Sequence, residues 1–329
     1  MLERWPKYYD RFVCIADACP DPCCVGWDVV VDDESAARWE HLDGALGDRL
    51  REVMLIDEDG DRVMRMESDG RCPMFCDDGL CRLQREQGHD ALCRTCREYP
   101  RLQQDYDVFV EHGLALSCPA AAELILHAES DGWVERGTVE DTPVDYDPTL
   151  MALLQQTRGP LLSLLRETSR PVGESLALAL LYAYAVQDAI DGEPFDFDPE
   201  RELAALPAPQ PRDFAPMVEF HRDLEMLTDR WPQRLEAAQL GAWPTETLAL
   251  ACYYVNRYWL QAVSDRDVLW RTKQMLAACL MARALPTVED IVLYSKEVEH
   301  DPDNVDRIWD ATFADPAWTD LALLDWLRG

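Results

Sequence analysis

Ten of the twelve cysteines in this 329-residue chain fall within its first 120 residues, and no other feature narrows its folds as much. They form three groups, Cys14 with Cys19, Cys23 and Cys24, then Cys72 with Cys76 and Cys81, then Cys93 with Cys96, and Cys118 follows alone. Disulfides are one explanation, but they persist in oxidising compartments and staple small domains that lack a core. Here 48% of the residues are hydrophobic, ample for a core at this length. The chain opens MLERWPKYYD, without a basic-then-apolar leader. Its longest apolar run, Ser175 to Val186, is shorter than the roughly 20 residues that cross a bilayer. The expectation is a soluble, cytoplasmic protein with no membrane segment. In a reducing compartment, clustered cysteines at short spacing are thiolate ligands for metal more often than disulfides. The adjacent pair Cys23 and Cys24 agrees, because neighbouring side chains bond each other poorly but can serve one cluster or two nearby sites. Packing explains other cysteines: Cys252 and Cys279 lie inside apolar helical patterns, where free cysteine fills space.

The spacing also bears on the metal. Zinc ribbons pair two CxxC knuckles around one tetrahedral ion, and the only such knuckle here is Cys93 to Cys96. Iron–sulfur clusters accept looser spacing from distant loops. Gaps of four, three and zero residues in the first group, and of three and four in the second, suit a cluster better than a knuckle. Zinc stands as the alternative.

The formal net charge of −32 runs through both halves of the chain. Distributed negative charge repels phosphate backbones and anionic lipid, so nucleic-acid and membrane partners are not expected. Only Lys7, Lys273 and Lys296 among the 31 basic residues are lysines. That bias reads as a proteome-wide or salt adaptation, with attraction of a lysine-bearing substrate as a secondary benefit. One segment runs against the trend. Arg94, Arg97 and Arg101 recur at three- and four-residue steps on one helical face beside the CRTC thiols. Positive charge there favours thiolates, and an arginine fork grips a ligand carboxylate, which makes Arg94 and Arg97 the candidate cofactor-binding residues. Pairing with surface acids is the plainer alternative. His89, His112 and His127 lie near cysteines in sequence, and Glu111 and His112 are candidates for proton handling.

Alternation and β-branching predict short strands at Trp27 to Val31, at RVMRME and at Asp107 to Ser117. A helix is expected from Glu34 to Met54, holding the first two cysteine groups at a fixed distance. Two short helices broken near Gly88 are expected from Cys81 to Arg101, and Pro119 opens another. The acidic, proline-containing stretch Glu140 to Pro148 marks a domain boundary. Beyond it, apolar residues recur at helical spacing in Thr149 to Ser169, Gly173 to Ile190, Phe214 to Trp231, Thr245 to Val263, Asp267 to Leu285 and Val288 to Glu299. The fold class is therefore mainly α (α+β): a cysteine-rich N-terminal domain with short strands at 1–139, and an all-helical C-terminal domain of about seven or more helices at 140–329. A substrate groove is expected between the halves. No GxG and no GxxxxGK[ST] occurs, which removes the Rossmann loop and the common nucleotide hydrolases.

Taken in order, FVCIADACPDPCCVGW, GRCPMFCDDGLCRLQREQG, LCRTCREYPR and EHGLALSCPAAAELIL resemble the flagellin lysine-N-methylases and, more loosely, a wider group of cysteine-rich proteins that chelate iron or zinc. LLQQTRGPLLSLL and YYVNRYWLQAV are compatible with that family's helical second half. The resemblance implies metal ligands at Cys14, Cys19, Cys23, Cys24, Cys72, Cys81, Cys96 and Cys118. Cys76 and Cys93 stand where the family more usually has an apolar or small residue. It further implies methyl transfer from S-adenosylmethionine to lysines of flagellin or another lysine-bearing protein, with an iron–sulfur cluster, of the 4Fe-4S type, as cofactor. An iron left free of cysteine can chelate the methionine amino and carboxylate groups in place of the missing glycine loop. The alternative is a non-catalytic zinc- or cluster-binding scaffold or a redox protein, since structural and reactive sites use the same ligands.

Overall fold

The computed structural model describes residues 1–27, 29–57, 60–128, 132–139 and 143–329. Its strands lie in the first 136 residues and helices fill the remainder, so the chain is mainly α with short sheets, as expected. The N-terminal part runs β1 (Leu2–Pro6), β2 (Val29–Val30), α1 (Asp33–Glu40), α2 (Gly44–Val53), β3 (Met54–Ile56), β4 (Arg62–Met64), α3 (Arg82–Gln87), α4 (Arg94–Glu98), β5 (Arg101–Asp105), β6 (Phe109–Leu114), α5 (Pro119–Leu126) and β7 (Trp133–Arg136). The helical part runs α6 (Pro148–Leu165), α7 (Val172–Ile190), α8 (Pro199–Ala205), α9 (Ala215–Arg222), α10 (Arg230–Leu235), α11 (Thr247–Tyr258), α12 (Ala262–Asp265), α13 (Leu269–Ala284), α14 (Val288–Tyr294), α15 (Pro302–Ala314) and α16 (Asp320–Arg328). Of the expected domain boundary, Glu140 to Thr142 lie outside the described residues. Among the described residues no helix is long and apolar enough to cross a membrane.

Two sheets and two hydrophobic cores organise these elements. The four-stranded sheet has the order β5-β6-β1-β7, with β1 parallel to β6 (Leu2 opposite Phe109) and antiparallel to β7 (Trp5 opposite Val134). The three-stranded sheet, β2-β4-β3, is antiparallel. The smaller core joins that sheet to α1, α2 and the thiols, through Val29, Trp39, Leu50, Met64, Cys72 and Cys93. The larger core takes Leu2, Phe109 and Leu114 from the four-stranded sheet and continues through α5 into the helices. Leu154, Leu161 and Leu165 of α6 and Leu176 and Leu180 of α7 are wholly buried there. At about 2 kcal/mol each, that burial outweighs the ~3 kcal/mol a proline costs in a helix interior, and Pro160 is tolerated within α6. Across the same seam Arg158 of α6 grips Glu111 of β6 with two bonds of 2.7 Å.

The helix expected from Glu34 to Met54 is two helices. Arg51 donates to the carbonyls of Trp39, Glu40 and Leu42 (3.0, 3.1 and 2.9 Å), and Gly47 lies so close to the Leu42 carbonyl that the chain turns back sharply. Gly44 supplies the left-handed residue that this turn requires (φ +82°). The pattern at Phe214 to Trp231 also splits. Between α9 and α10, the Glu225 N–H goes to Asn304 Oδ1 (2.8 Å) and the Leu227 N–H to Glu297 Oε2 (2.7 Å), partners outside any helix ladder. Strands β1, β5 and β7 were not anticipated, because their charged, mixed sequences carry little alternation.

Candidate metal centre

Each cysteine group sits on irregular backbone that neighbouring elements pin in place. The Cys72 N–H donates to the Cys24 carbonyl (2.8 Å) and Val25 bridges Arg71, so the first and second groups are stitched together. Gly79 lies against Asp17, which carries the Cys72–Cys81 loop onto the Cys14–Cys19 loop. The third group is tied to α1: Asp32 accepts from the Ser35 N–H (3.0 Å) and, with its other oxygen, from the Arg94 N–H (2.7 Å). Burial pushes the Asp32 carboxyl up, but these N–H groups outweigh it and hold it at about 2. Thr95 adds a bond to the Val30 carbonyl (2.8 Å). Cys81, Cys93 and Cys118 each stand at a helix N-cap, at the heads of α3, α4 and α5.

The thiols group in two sets that meet at Cys23. Cys72 and Cys93 are buried in the smaller core, with Cys24, Cys81 and Cys96 packed against it. Burial first, and then the charges of Cys81, Cys93 and Cys23, push the Cys72 thiol up to about 11. On the other side Cys19 senses Cys23 and Cys14, and Cys118 senses Cys19 and Cys23. Burial pushes Cys118 up to about 11, against the Ala121 and Ala120 N–H groups aimed at its sulfur. Two thiol pairs are close enough to perturb each other, Cys23 with Cys24 and Cys93 with Cys96. Within each pair the first sulfur is the better thiolate: the neighbouring Cys24 thiol brings Cys23 down to about 7, helped by Lys296, and the Cys96 thiol lowers Cys93. All these cysteines are free of disulfides. Cys76, at the edge, takes a contact from Arg85 Nη2 (3.6 Å).

The chemistry of this donor set, free thiols on irregular backbone, is of the kind that holds a metal group. Thiols raised by burial become thiolates once a cation supplies the missing charge, and thiols from four sequence segments lie in this part of the fold. Among the described residues no three His, Cys, Asp or Glu side chains stand close enough together to hold one metal ion. The expected arginines lie at the rim: Arg94 is exposed, and Arg97 donates to the Asp90 carbonyl (3.4 Å). His112 bonds Glu3 (2.8 Å) and His127 lies between Glu123 and Glu246 (3.5 and 3.4 Å).

What the sequence pattern missed comes from the far end of the chain. After α14 the helix widens into a π turn, Ser295–Glu299, a distortion frequent at functional sites. It carries buried Lys296, whose Nζ reaches Asp21 Oδ1 (3.0 Å), between Cys19 and Cys23, and lies 4.8 Å over the Trp27 ring. Glu299 accepts from Tyr254 and Tyr258 (3.0 and 2.6 Å). His300 Nε2 meets Ser117 Oγ (2.6 Å), which also meets the Tyr99 hydroxyl (3.1 Å), directly beside Cys118. Burial lowers the His300 pKa, so its ring is neutral at neutral pH. One signal was readable: Lys296 is one of only three lysines and interrupts the apolar pattern of its helix.

No family model and no solved structure matches the chain. The lysine-N-methylase of Salmonella typhimurium is 29% identical over 133 residues, 37% of this chain and 32% of that protein. That of Salmonella choleraesuis is 29% identical over 127 residues, with the same shares. Over that stretch the chain is similar to the lysine-N-methylases. The flagellar biosynthetic protein FliU of Salmonella muenchen is 28% identical over 133 residues, 37% of this chain and 75% of FliU. The match thus spans about a third of the length of the two lysine-N-methylases, and the resemblance read from the four cysteine motifs is borne out. In this chain the motif cysteines stand beside ionisable side chains, Lys296 and His300, from the helical part.

Proposed function

We propose that the protein is a cytoplasmic methyltransferase that moves a methyl group from S-adenosylmethionine to the ε-amino group of lysine on a flagellar protein such as flagellin. The reading includes an iron–sulfur cluster held by thiols from the set Cys14, Cys19, Cys23, Cys24, Cys72, Cys81, Cys96 and Cys118. It rests on the similarity to lysine-N-methylases and to the flagellar protein FliU and on one structural observation: cysteines from four sequence segments gather around Cys23, against the π turn of the helical part. A cluster spans several ångströms and so suits sulfurs that gather without converging as closely as a single zinc ion demands. When bound, such a cluster supplies a Lewis-acidic iron able to take an amino and a carboxylate group.

The chain's own residues then have defined tasks. The attacking amine must be deprotonated, because an ammonium has no lone pair. The chain Tyr99 to Ser117 to His300 is hydrogen-bonded beside Cys118 and ends on a neutral imidazole, so His300 Nε2 is the atom that holds the departing proton. Trp27, packed 4.9 Å from the His300 ring and 5.3 Å from that of Tyr99, keeps water from this relay. Lys296 fixes the first cysteine loop through Asp21.

Anaerobic purification followed by iron, sulfide and zinc analysis, then assay with methyl-labelled S-adenosylmethionine and a lysine peptide, tests this reading. The expected result is iron and sulfide in near-equal amounts and labelled N-methyl-lysine. Stoichiometric zinc without colour or transfer would establish a scaffold instead.

A further inference from the structure

Beside the first cysteine loop opens a cleft of about 600 Å3, within the size range of ligand sites. Val13 and Ile15, the two neighbours of Cys14, are among its apolar lining, with Leu124 of α5 and Val292 of α14. Val13 is 74% and Ile15 41% exposed. Large apolar side chains left in water on both sides of a candidate metal ligand leave apolar surface for something else to cover. The cleft also carries charge. Its Arg230 is turned to Asp21 (3.5 Å), which leaves the exposed Glu123 and Glu289 against Arg11 among the lining residues.

We infer that this cleft is the docking groove for a lysine-bearing segment of a partner protein, a statement that rests on the lysine methyl-transfer reading. The apolar wall suits the four-carbon stem of lysine, and the two carboxylates suit its cationic head or that of a flanking lysine. The surrounding negative charge draws such a segment in and repels an acidic one. The groove lies alongside Cys14 and the loop that carries it, so a docked segment is presented to the Cys14, Cys19 and Cys118 side of the thiol assembly.

The test uses the full-length, anaerobically purified protein and a fluorescein-labelled peptide of lysine, serine and alanine, with a control peptide in which norleucine replaces lysine. Fluorescence anisotropy should show the lysine peptide binding at least about tenfold tighter than the control. The double variant Val13→Ser/Ile15→Ser should raise the peptide KM and Kd by about tenfold or more, and Glu289→Gln by about threefold, while the KM for S-adenosylmethionine does not move. All three positions are at the surface, and circular dichroism checks that the variants fold. Unchanged peptide Kd and KM in both variants would overturn the groove, as would equal binding of the two peptides. If the wild type transfers no methyl group yet binds the lysine peptide through these residues, the catalytic reading fails and the groove stands.

Discussion

His221 of α9 is wholly buried, its Nδ1 against the Met217 carbonyl (2.8 Å) and its Nε2 near the Tyr294 hydroxyl (3.4 Å). Burial pushes its pKa down to about 4, whereas an unfolded histidine titrates near 6.5. The unfolded chain therefore binds the extra proton between these values. Stability is full above about pH 6.5 and drains away as pH falls towards 4, by about 3 kcal/mol for this group alone. Urea unfolding at pH 7.0 and pH 4.5 checks it: His221→Gln should lose distinctly less stability over that interval than the wild type, and equal losses would acquit His221. Other residues show how far single positions are legible. Cys252 and Cys279 read as packing from their apolar surroundings, and both are buried in α11 and α13. Glu111 read as a proton-handling candidate, yet it is spent on Arg158 and Arg4. No local pattern announces a partner 47 residues away.

At the scale of elements, glycine placement decides where helices begin and how closely they pack. Gly173, near the start of α7, has room for no Cβ, because one would overlap the Leu327 carbonyl oxygen of α16. Helix propensity favours alanine over glycine by about 1 kcal/mol, but overpacking costs about 1–3 kcal/mol, so the clash should win. Gly173→Ala is expected to lower stability by about 1–2 kcal/mol in urea unfolding, and a gain would show that α7 and α16 stand further apart. The same contest explains the sequence reading of the elements. Long apolar repeats gave α7 and α13 closely at both ends, because burial covers most of each helix, whereas α6, buried on one face, ends at Leu165, short of the expected Ser169. The break between α1 and α2 escaped it, since Arg51 ends α1 by reaching back across the turn, not through any signal within α1.

Over the whole molecule, Lys296 shows what holds the cysteine loop to the helical part. It is 1% exposed and pairs with Asp21, 275 positions earlier. Removing one partner of a buried pair leaves the other charge without compensation and costs about 3 kcal/mol or more. Lys296→Met should therefore destabilise the protein by about that much at pH 7, reduced somewhat by Arg230, which also reaches Asp21. Adding Asp21→Asn should restore a good part of it in the same unfolding measurement, and a double variant no better than the single would mean that Lys296 acts by packing alone. The sequence by itself determined the composition of the candidate site and the class of the fold: which thiols exist, how they are spaced, and that the rest is helical. Those properties are local, carried by spacing and by a 3.6-residue period. The tertiary structure alone decided that the thiols fall into two sets meeting at Cys23, and that Lys296 and His300 close the site. Those contacts join residues tens to hundreds of positions apart, and they follow from how buried faces pack rather than from any repeat along the chain.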